Sequence, residues 1–327
     1  MQSLSRRAFL GVAGAAGLVT VGACSTNKKS ANGNSPSAVT VKHQFGETTV
    51  QAPPKRVVSA GLTEQDDLLA VGVVPIAVTN WWGNQPFAVW PWAQPKLGPA
   101  QPTVLSLDNG LDFDKIAGLK PDLIVAVNAG VDKDSYNRLS AIAPTLPQTD
   151  EAPFFEPWKD QATAIGKAVF QADQMKALID AADNKLTDVA NAHMQFKDKR
   201  AVLLQGEFGS DNVVATLGWR TDFLTQMGFV IPDQIKQFGV DDGRALIPRD
   251  KAVDALGAAD VLIWTTESDD QQARLTADPT FAQLKSTVAK RNVFTGKDIA
   301  GAIAFSSPLS LPVVADQLPP MIAKVIL

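Results

Sequence analysis

The stretch RVVSAGLTEQDDLLAVGVVPIAVT, residues 56–79, contains in order a strand, a helix and the start of a second strand. The run RVVSAG is short and apolar, which is typical of a strand buried inside a sheet. TEQDDLLAVGV then predicts a helix that stops at Gly72, and PIAVT leads out into the next strand. Alternation of strand and helix in this way predicts a parallel sheet covered by helices, the α/β class.

The same order recurs further along the chain. FDKIAGLKPDLIVAV, residues 113–127, predicts a helix, a proline-marked turn and a strand, and KRAVLLQ, residues 199–205, predicts another apolar strand. RDKAVDALGAADVLIWTT, residues 249–266, matches the pattern of residues 113–127, because an acid and a lysine open its helix and an aspartate leads its strand. The repetition predicts two similar α/β lobes with mainly parallel sheets, at residues 39–168 and 198–327.

A long helix is predicted between the two lobes. Residues 171–196 contain neither proline nor glycine, and their apolar residues recur at helical spacing. At about 1.5 Å per residue this helix would be about 39 Å long. A single rigid helix at residues 169–197 would leave a ligand cleft between the lobes, which is a favoured position for binding sites.

The N-terminus has the pattern of an export signal. Arg6 and Arg7 precede residues 8–23, sixteen positions without a charge, and Cys24 follows directly. SRRAFLG resembles a twin-arginine signal, and VGAC resembles a lipobox that is cleaved before a lipid-modified cysteine. The alternative is a membrane-spanning anchor, but the segment is shorter than the roughly 20 apolar residues that cross a bilayer.

We therefore predict a signal peptide at residues 1–23, lipidation of Cys24, and a polar, flexible tether at residues 24–38. These features predict an extracytoplasmic protein that a lipid anchors to the cell membrane. Since Cys24 is the single cysteine of the chain, we expect no internal disulfide.

The composition argues against several classes of function. The 327 residues include 30 basic and 34 acidic side chains, a mildly acidic balance that does not favour nucleic acid as a partner. Two histidines and one tyrosine are too few for a bare ferric or zinc site, so we expect neither a directly bound metal nor a resident cofactor. The sequence also lacks a Gly-x-Ser-x-Gly elbow and a phosphate-binding glycine loop, which favours a binding protein over an enzyme.

Four of the seven tryptophans lie in the segment NWWGNQPFAVWPWAQPKLG, residues 80–98. Its glycine and prolines forbid a regular helix, so it is predicted to be a loop that follows a strand, where α/β proteins place their ligands. Trp82, Phe87, Trp90 and Trp92 are the candidates for stacking on a ligand. The alternative is that some of these rings pack on one another as a small satellite core.

The second lobe offers a matching pair, Trp219 and Arg220, just ahead of a predicted helix. An arginine beside an aromatic ring can stack on it and bind an anionic oxygen, although Arg220 could instead pair with Asp222. Four further residues are candidates for the cleft, namely Asn128, Tyr136, Trp264 and Phe305. The alternative for each is an ordinary structural role in the core or in a turn.

Five stretches, residues 56–79, 80–93, 119–126, 136–146 and 302–312, together resemble the siderophore-binding branch of the substrate-binding lipoproteins of bacterial ABC importers. In this order they look like actinobacterial Fe(III)-siderophore receptors. The resemblance implies two α/β lobes joined by one long helix, a monomer that binds a preformed ferric chelate, and delivery of that chelate to an ABC permease.

The resemblance also implies permease docking through one acid on each lobe, at Asp114 and Asp250, where the family usually has glutamate. Both acids could equally stabilise a helix N-terminus. Arg220 and Arg244 are the only basic candidates for the cleft, and so few basic residues favour a carboxylate or less anionic chelate. Three alternatives stay open: a haem receptor with Tyr136 as ligand, a chelatase or reductase acting on the bound chelate, and a structural surface protein.

Overall fold

The computed structural model describes residues 37–240 and 243–326, and the structural statements below concern these residues. The predicted signal peptide, Cys24 and the tether up to residue 36 lie outside them. Among the described residues, no helix combines the length and the apolar character that crossing a bilayer requires.

The described chain begins with an antiparallel hairpin of β1 (Val39–His43) and β2 (Gly46–Val50). Gly46 has a φ of 131°, a backbone conformation that favours glycine and permits the two-residue turn. The Thr48 hydroxyl donates to the carbonyl of Thr145 over 2.6 Å, which fixes the hairpin to the end of the first lobe.

The first lobe is built on a five-stranded sheet with helices around it. Its elements, in chain order, are β3 (Val57–Ser59), α1 (Glu64–Ala70), β4 (Ala77–Asn80), α2 (Gln94–Leu97), β5 (Thr103–Ser106), α3 (Phe113–Gly118), β6 (Leu123–Ala126), α4 (Lys133–Ser140), β7 (Thr145–Pro147) and α5 (Trp158–Ala168). The strand order is β5-β4-β3-β6-β7, and all pairings are parallel. The parallel α/β prediction for this lobe is therefore confirmed.

The joining helix is α6 (Ala172–Ala192), which at 21 residues is shorter than the predicted segment 171–196. It ends at His193, whose φ of −123° and ψ of 61° leave the helical region, and a short 3₁₀ turn, Met194–Phe196, follows. The fully buried Phe196 ring stacks between His193 and Phe229, each 4.8 Å away. This packing draws the chain inward and ends the α-helix early.

The second lobe contains, in chain order, β8 (Ala201–Phe208), β9 (Asn212–Thr216), α7 (Asp222–Gln226), α8 (Asp233–Lys236), β10 (Gly239–Val240), β11 (Arg244–Pro248), α9 (Ala252–Leu256), β12 (Val261–Thr265), α10 (Asp269–Ala277), α11 (Pro279–Gln283), α12 (Lys285–Val288), β13 (Asn292–Phe294), α13 (Gly296–Phe305) and α14 (Leu311–Ala323). The strand order is β10-β11-β9-β8-β12-β13.

This second sheet is mixed, because β8, β12 and β13 are parallel whereas β9 returns antiparallel to β8 without an intervening helix. The two lobes are therefore similar in plan but not strict repeats. Each sheet lies inside the lobe predicted for it and α6 lies inside the predicted joining segment, while the boundaries 39–168, 169–197 and 198–327 themselves stay a prediction.

One continuous apolar core crosses the molecule. It includes Leu123 of the first sheet, Met175 and Leu186 of α6, and Ile263 of the second sheet. The sheets and α6 belong to a single compact body, Pro36–Leu327. Moving the lobes apart would expose this shared core to water, which opposes a wide opening of the cleft between them.

Candidate functional site

A cavity of about 400 Å³ opens between the two lobes, and we call it the cleft pocket. Trp81 and Trp82, just after β4, form its wall on the first lobe. The wall on the second lobe includes Gln205 and Thr265, which pair in the register of the parallel strands β8 and β12. The cavity therefore lies at the carboxyl ends of strands from both sheets, the position expected for ligands in α/β proteins.

A second cavity of about 840 Å³, which we call the aromatic pocket, adjoins the first. Its walls carry Phe154 and Phe155 from the loop that precedes α5, and Arg244 from the second lobe. Trp219 and Arg220 line both cavities. The site is thus a divided cleft whose two parts meet at these two side chains.

Arg220 is held between aromatic rings at this junction. Its guanidinium lies 4.4 Å from the centre of the Phe155 ring and 5.4 Å from that of Trp219. Stacking uses the faces of a guanidinium, and its N–H donors point outward in its plane. An arginine held in this way is suited to bind anionic oxygens of a ligand that occupies either pocket.

Phe155 is the residue of this junction that the sequence did not indicate. Its φ of 59° is in the left-handed region, which is uncommon for a bulky side chain and marks a backbone held by its surroundings. The backbone N–H of Phe155 donates to the Asn128 side-chain oxygen over 3.0 Å, and the Asn128 amide donates to the Thr63 hydroxyl over 3.0 Å. Asn128 is 1 % exposed, so it positions Phe155 and has almost no surface for a ligand.

The predicted tryptophan loop forms a packed cluster with rings of different exposure. Trp81 and Trp82 face the cleft pocket, and Trp82 meets Trp90 edge to face at 4.9 Å. Trp90 stacks on Trp92 at 5.0 Å and is 1 % exposed. Gly83 and Gly301 make room for its ring, since a Cβ at either would lie 2.5 Å from it. Trp90 therefore packs behind the rings that line the cleft. This placement agrees with the alternative that some of these rings form a small satellite core.

Trp92 is oriented by a buried carboxylate. Its indole N–H donates to Oδ2 of Asp66 in α1 over 2.7 Å, and the Ser307 hydroxyl donates to the same oxygen over 2.7 Å. Burial raises the pKa of Asp66 to about 6, although both hydrogen bonds favour its charged form. This network ties the first lobe to the turn between α13 and α14.

Two further acids of α1 are buried beside Asp66. Burial raises the pKa of Glu64 to about 7 and that of Asp67 well above its usual range. Asp67 accepts a hydrogen bond from Gln161 over 2.7 Å through one oxygen, and its other oxygen is buried without a partner in the described structure. Through their hydrogen bonds, Glu64 and Asp67 connect α1 to Asn128 after β6 and to Gln161 of α5.

The remaining predicted site residues lie outside the linings of both pockets. Trp264 is fully buried and its indole donates to Asn292 over 3.0 Å, and Phe305 is 4 % exposed, 5.8 Å from the Trp81 ring. Phe87 packs against the Leu69 cluster. Tyr136 packs on Phe45 at 5.2 Å and on His43 at 5.1 Å. The structure places these four in supporting packing and gives none of them a ligand-facing surface in either pocket.

A family model described as periplasmic binding protein matches residues 57–300. The chain belongs to this family. The match spans both sheets and α6, and so includes most of the residues that line the two pockets. Ile303, Ala304 and Ser306 of the cleft pocket lie beyond it. Homologues of this chain carry names of siderophore-binding and ferric-citrate-binding proteins, as the sequence resemblance indicated.

Among curated relatives, a protein of Bacillus subtilis (strain 168) named a probable siderophore-binding lipoprotein is 28% identical over 220 residues, or 66% of this chain and 65% of the relative. The chain thus spans somewhat less than two thirds of that relative's length. A Fe(3+)-citrate-binding protein of the same organism is 27% identical over 57% of this chain and 58% of its own length.

Solved structures share the fold over almost their whole length. A periplasmic solute binding protein from Mycobacterium smegmatis is 60% identical with a TM-score of 0.84, covering 88% of this chain and 99% of that chain. PiaA from Streptococcus pneumoniae, solved in complex with ferrichrome, is 22% identical with a TM-score of 0.73, covering 88% and 98%. The likeness to PiaA concerns the fold.

The two predicted docking acids are exposed, each on a helical turn that comes after a strand. Asp114 is in the first turn of α3, which follows β5, and Asp250 is in a 3₁₀ turn, Arg249–Lys251, directly after β11. Because β11 and β8 are both antiparallel to β9, β11 ends at the same edge of the sheet as β8. Asp250 therefore lies on the cleft side of its lobe.

Two glutamates of the cleft pocket also escaped the sequence analysis. Glu207 is near the end of β8, and Glu267 follows β12. Burial and the neighbouring Glu207 raise the pKa of Glu267, and Lys297 opposes this shift. Applying the strand-end rule to every strand, and not to the aromatic residues first, would have found both. Within residues 37–240 and 243–326, no group of three or more His, Cys, Asp or Glu side chains could hold a metal ion.

Proposed function

We propose that this protein is an extracytoplasmic, lipid-anchored receptor that binds a ferric siderophore and delivers it to an ABC permease. The observation that carries the proposal is the divided cleft, in which aromatic rings from both lobes surround Arg220. Its two cavities, about 400 and 840 Å³, are in the size range of small-molecule sites. The names of the relatives support the ligand class.

In this proposal iron is cargo and reaches the protein already chelated. The organic frame of the chelate would lie on Trp81, Trp82 and Phe155, and Arg220 would bind its anionic oxygens. The ligand would leave chemically unchanged, so the protein acts as a monomeric carrier without enzymatic activity or a resident cofactor. Lipidation at Cys24 would keep it near the permease.

The placement of Tyr136 favours a siderophore over haem. Tyr136 was the candidate haem ligand, but its ring packs between His43 and Phe45 and its hydroxyl lies 3.4 Å from Nε2 of His43. It is not part of the lining of either pocket. A haem bound in the cleft would need another iron ligand.

Tryptophan fluorescence tests the proposal, because Trp81, Trp82 and Trp219 line the cleft. We expect a ferric siderophore to quench the emission saturably at micromolar concentration or below, and haem to give no Soret shift that depends on Tyr136. A Soret shift that disappears in Tyr136→Phe would instead indicate the haem receptor. If neither ferric siderophores nor haem quench at micromolar concentration, the receptor proposal is wrong.

A further inference from the structure

Two carboxylates of the cleft pocket lie near the carboxyl ends of the neighbouring strands β8 and β12. Thr265 of β12 pairs with Gln205 of β8, so Glu267 and Glu207 both lie two residues beyond this pair. Parallel strands lie about 4.8 Å apart, so the chain leads to Glu267, just beyond the end of β12, from a position beside β8. Both glutamates contribute to the lining of the cleft pocket, and both are exposed.

The arrangement is electrostatically unfavourable in the empty pocket. Two like charges close to each other repel, and the proximity of Glu207 contributes to the raised pKa of Glu267. Lys297 offsets only part of this effect. Within the described residues, neither glutamate side chain accepts a hydrogen bond or forms an ion pair within 4 Å. The pair therefore contributes no visible stabilising contact to the fold.

The cleft pocket thus has charges of opposite sign in different parts of its lining. Arg220 contributes a cation beside Trp219, and the glutamates contribute anions at the ends of β8 and β12. An entirely anionic chelate that reached Arg220 would meet repulsion from the carboxylates. A ligand that is itself bipolar would satisfy both parts of the pocket.

Resting on the proposed receptor function, we infer that the chelate carries a protonated amine in addition to its anionic iron-binding oxygens, and that Glu207 and Glu267 bind this amine while Arg220 faces the iron centre. An ammonium group donates three hydrogen bonds, which suits two adjacent carboxylates. The glutamate pair is then a determinant of specificity that selects amine-bearing chelates and rejects fully anionic ones.

The test uses ferric chelates that differ in this amine. Ferrioxamine B has a pendant primary amine, and its N-acetylated form has the same iron centre without the positive charge. Ferrichrome and ferric citrate complete the panel as neutral and anionic chelates. Binding of each is measured by tryptophan quenching and calorimetry with wild type, with the double variant Glu207→Gln/Glu267→Gln, and with Glu47→Gln, an exposed acid of the hairpin, as the matched control.

We expect wild type and Glu47→Gln to bind ferrioxamine B at least about tenfold more tightly than the acetylated form, the loss expected for a charged hydrogen bond. The double variant should lose this preference, and its affinity for ferric citrate should rise. If an amine-free chelate binds wild type as tightly as ferrioxamine B, the inference is overturned while the receptor function stands. If no member of the panel binds, the receptor function itself fails.

Discussion

Arg220 is the residue on which ligand binding depends most in this account. It lies between Phe155 and Trp219 and borders both pockets. Arg220→Ala should weaken binding of a ferric chelate about tenfold or more, because a charge-assisted hydrogen bond is lost. Arg220→Lys should recover part of the loss, since lysine keeps the charge but not the planar stacking.

The matched control for Arg220 is Arg138, whose guanidinium also stacks on an aromatic ring, 3.5 Å from the centre of Phe113, but which lies outside both pockets. Arg138→Ala should leave the dissociation constant unchanged in the same calorimetric titration. Equal losses in the two variants would mean that Arg220 acts through stability and not through the ligand.

Asp67 allows a prediction about pH. Because burial raises its pKa, the native protein holds a proton at Asp67 that the unfolded chain releases above about pH 4. The native protein then binds more protons than the unfolded chain does. The free energy of unfolding therefore falls as pH rises toward the pKa that Asp67 has in the native state. Asp67→Asn removes the titration and keeps an acceptor for Gln161. We expect it to raise the free energy of unfolding by ~1–3 kcal/mol at pH 8, and by less at pH 5.

Other groups act on the same pH profile. Burial raises the pKa of Glu64 and Glu156 to about 7 and that of Asp66 to about 6. These groups also lower the free energy of unfolding of the wild type as pH rises from 5 toward 8. Burial lowers the pKa of His43. This group therefore has the opposite effect, and it raises the free energy of unfolding as pH rises toward the usual pKa of histidine. Guanidinium unfolding of wild type and Asp67→Asn at both pH values measures the difference, and an equal gain at pH 5 and pH 8 would contradict the assignment.

At the scale of elements, the tryptophan loop combines a supporting ring with ligand-facing rings. Trp90→Ala should destabilise the protein by about 3–5 kcal/mol, because it removes a fully buried ring between Gly83 and Gly301. Trp82→Ala should cost less stability and weaken chelate binding, since Trp82 lines the cleft pocket. Chemical unfolding and ligand titration of both variants separate the roles, and the reverse ranking in stability would show that the packing is misassigned.

The elements themselves could be predicted well from the sequence, because apolar runs with glycine and proline stops determine strands and helices locally. Three of the five strands of the first sheet, β3, β4 and β6, follow from the pattern at residues 56–79 and 113–127, whereas β5 and β7 were not predicted. The antiparallel return of β9 was missed, since no strand was predicted between residues 199–205 and the helix expected after Arg220. The early end of α6 depends on the packing of Phe196 against Phe229, a contact between distant residues that spacing does not reveal.

The site was predicted less completely than the fold. The Trp81–Trp92 loop and the Trp219–Arg220 pair were found because aromatic and basic residues in loops are conspicuous. Which indole faces the cleft depends on close approaches such as that of Trp90 to Gly301, which joins two distant parts of the chain. Three residues were missed, namely Phe155, Glu207 and Glu267. No sequence motif marks them, because their roles depend on their positions at a strand end or where the two pockets meet.

At the scale of the whole molecule, the two lobes share one core and present one exposed acid each on helical turns that follow strands. If Asp114 and Asp250 dock on a permease, Asp114→Lys/Asp250→Lys should abolish uptake of the ferric chelate by cells and leave its affinity unchanged. Asp173→Lys, which reverses an exposed acid in the first turn of α6, is the matched control and should support normal uptake. Lost affinity in the double variant would refute a pure docking role.

The central claim is that the divided cleft binds a preformed ferric chelate. Calorimetric titration with the ferric and iron-free forms of the same siderophores tests it most directly. We predict one ligand per protein at micromolar affinity or better for a ferric form, and at least about tenfold weaker binding of its iron-free form, whose oxygens are not arranged around a metal. Equal binding of the two forms, or no heat with any ferric siderophore, would contradict the account.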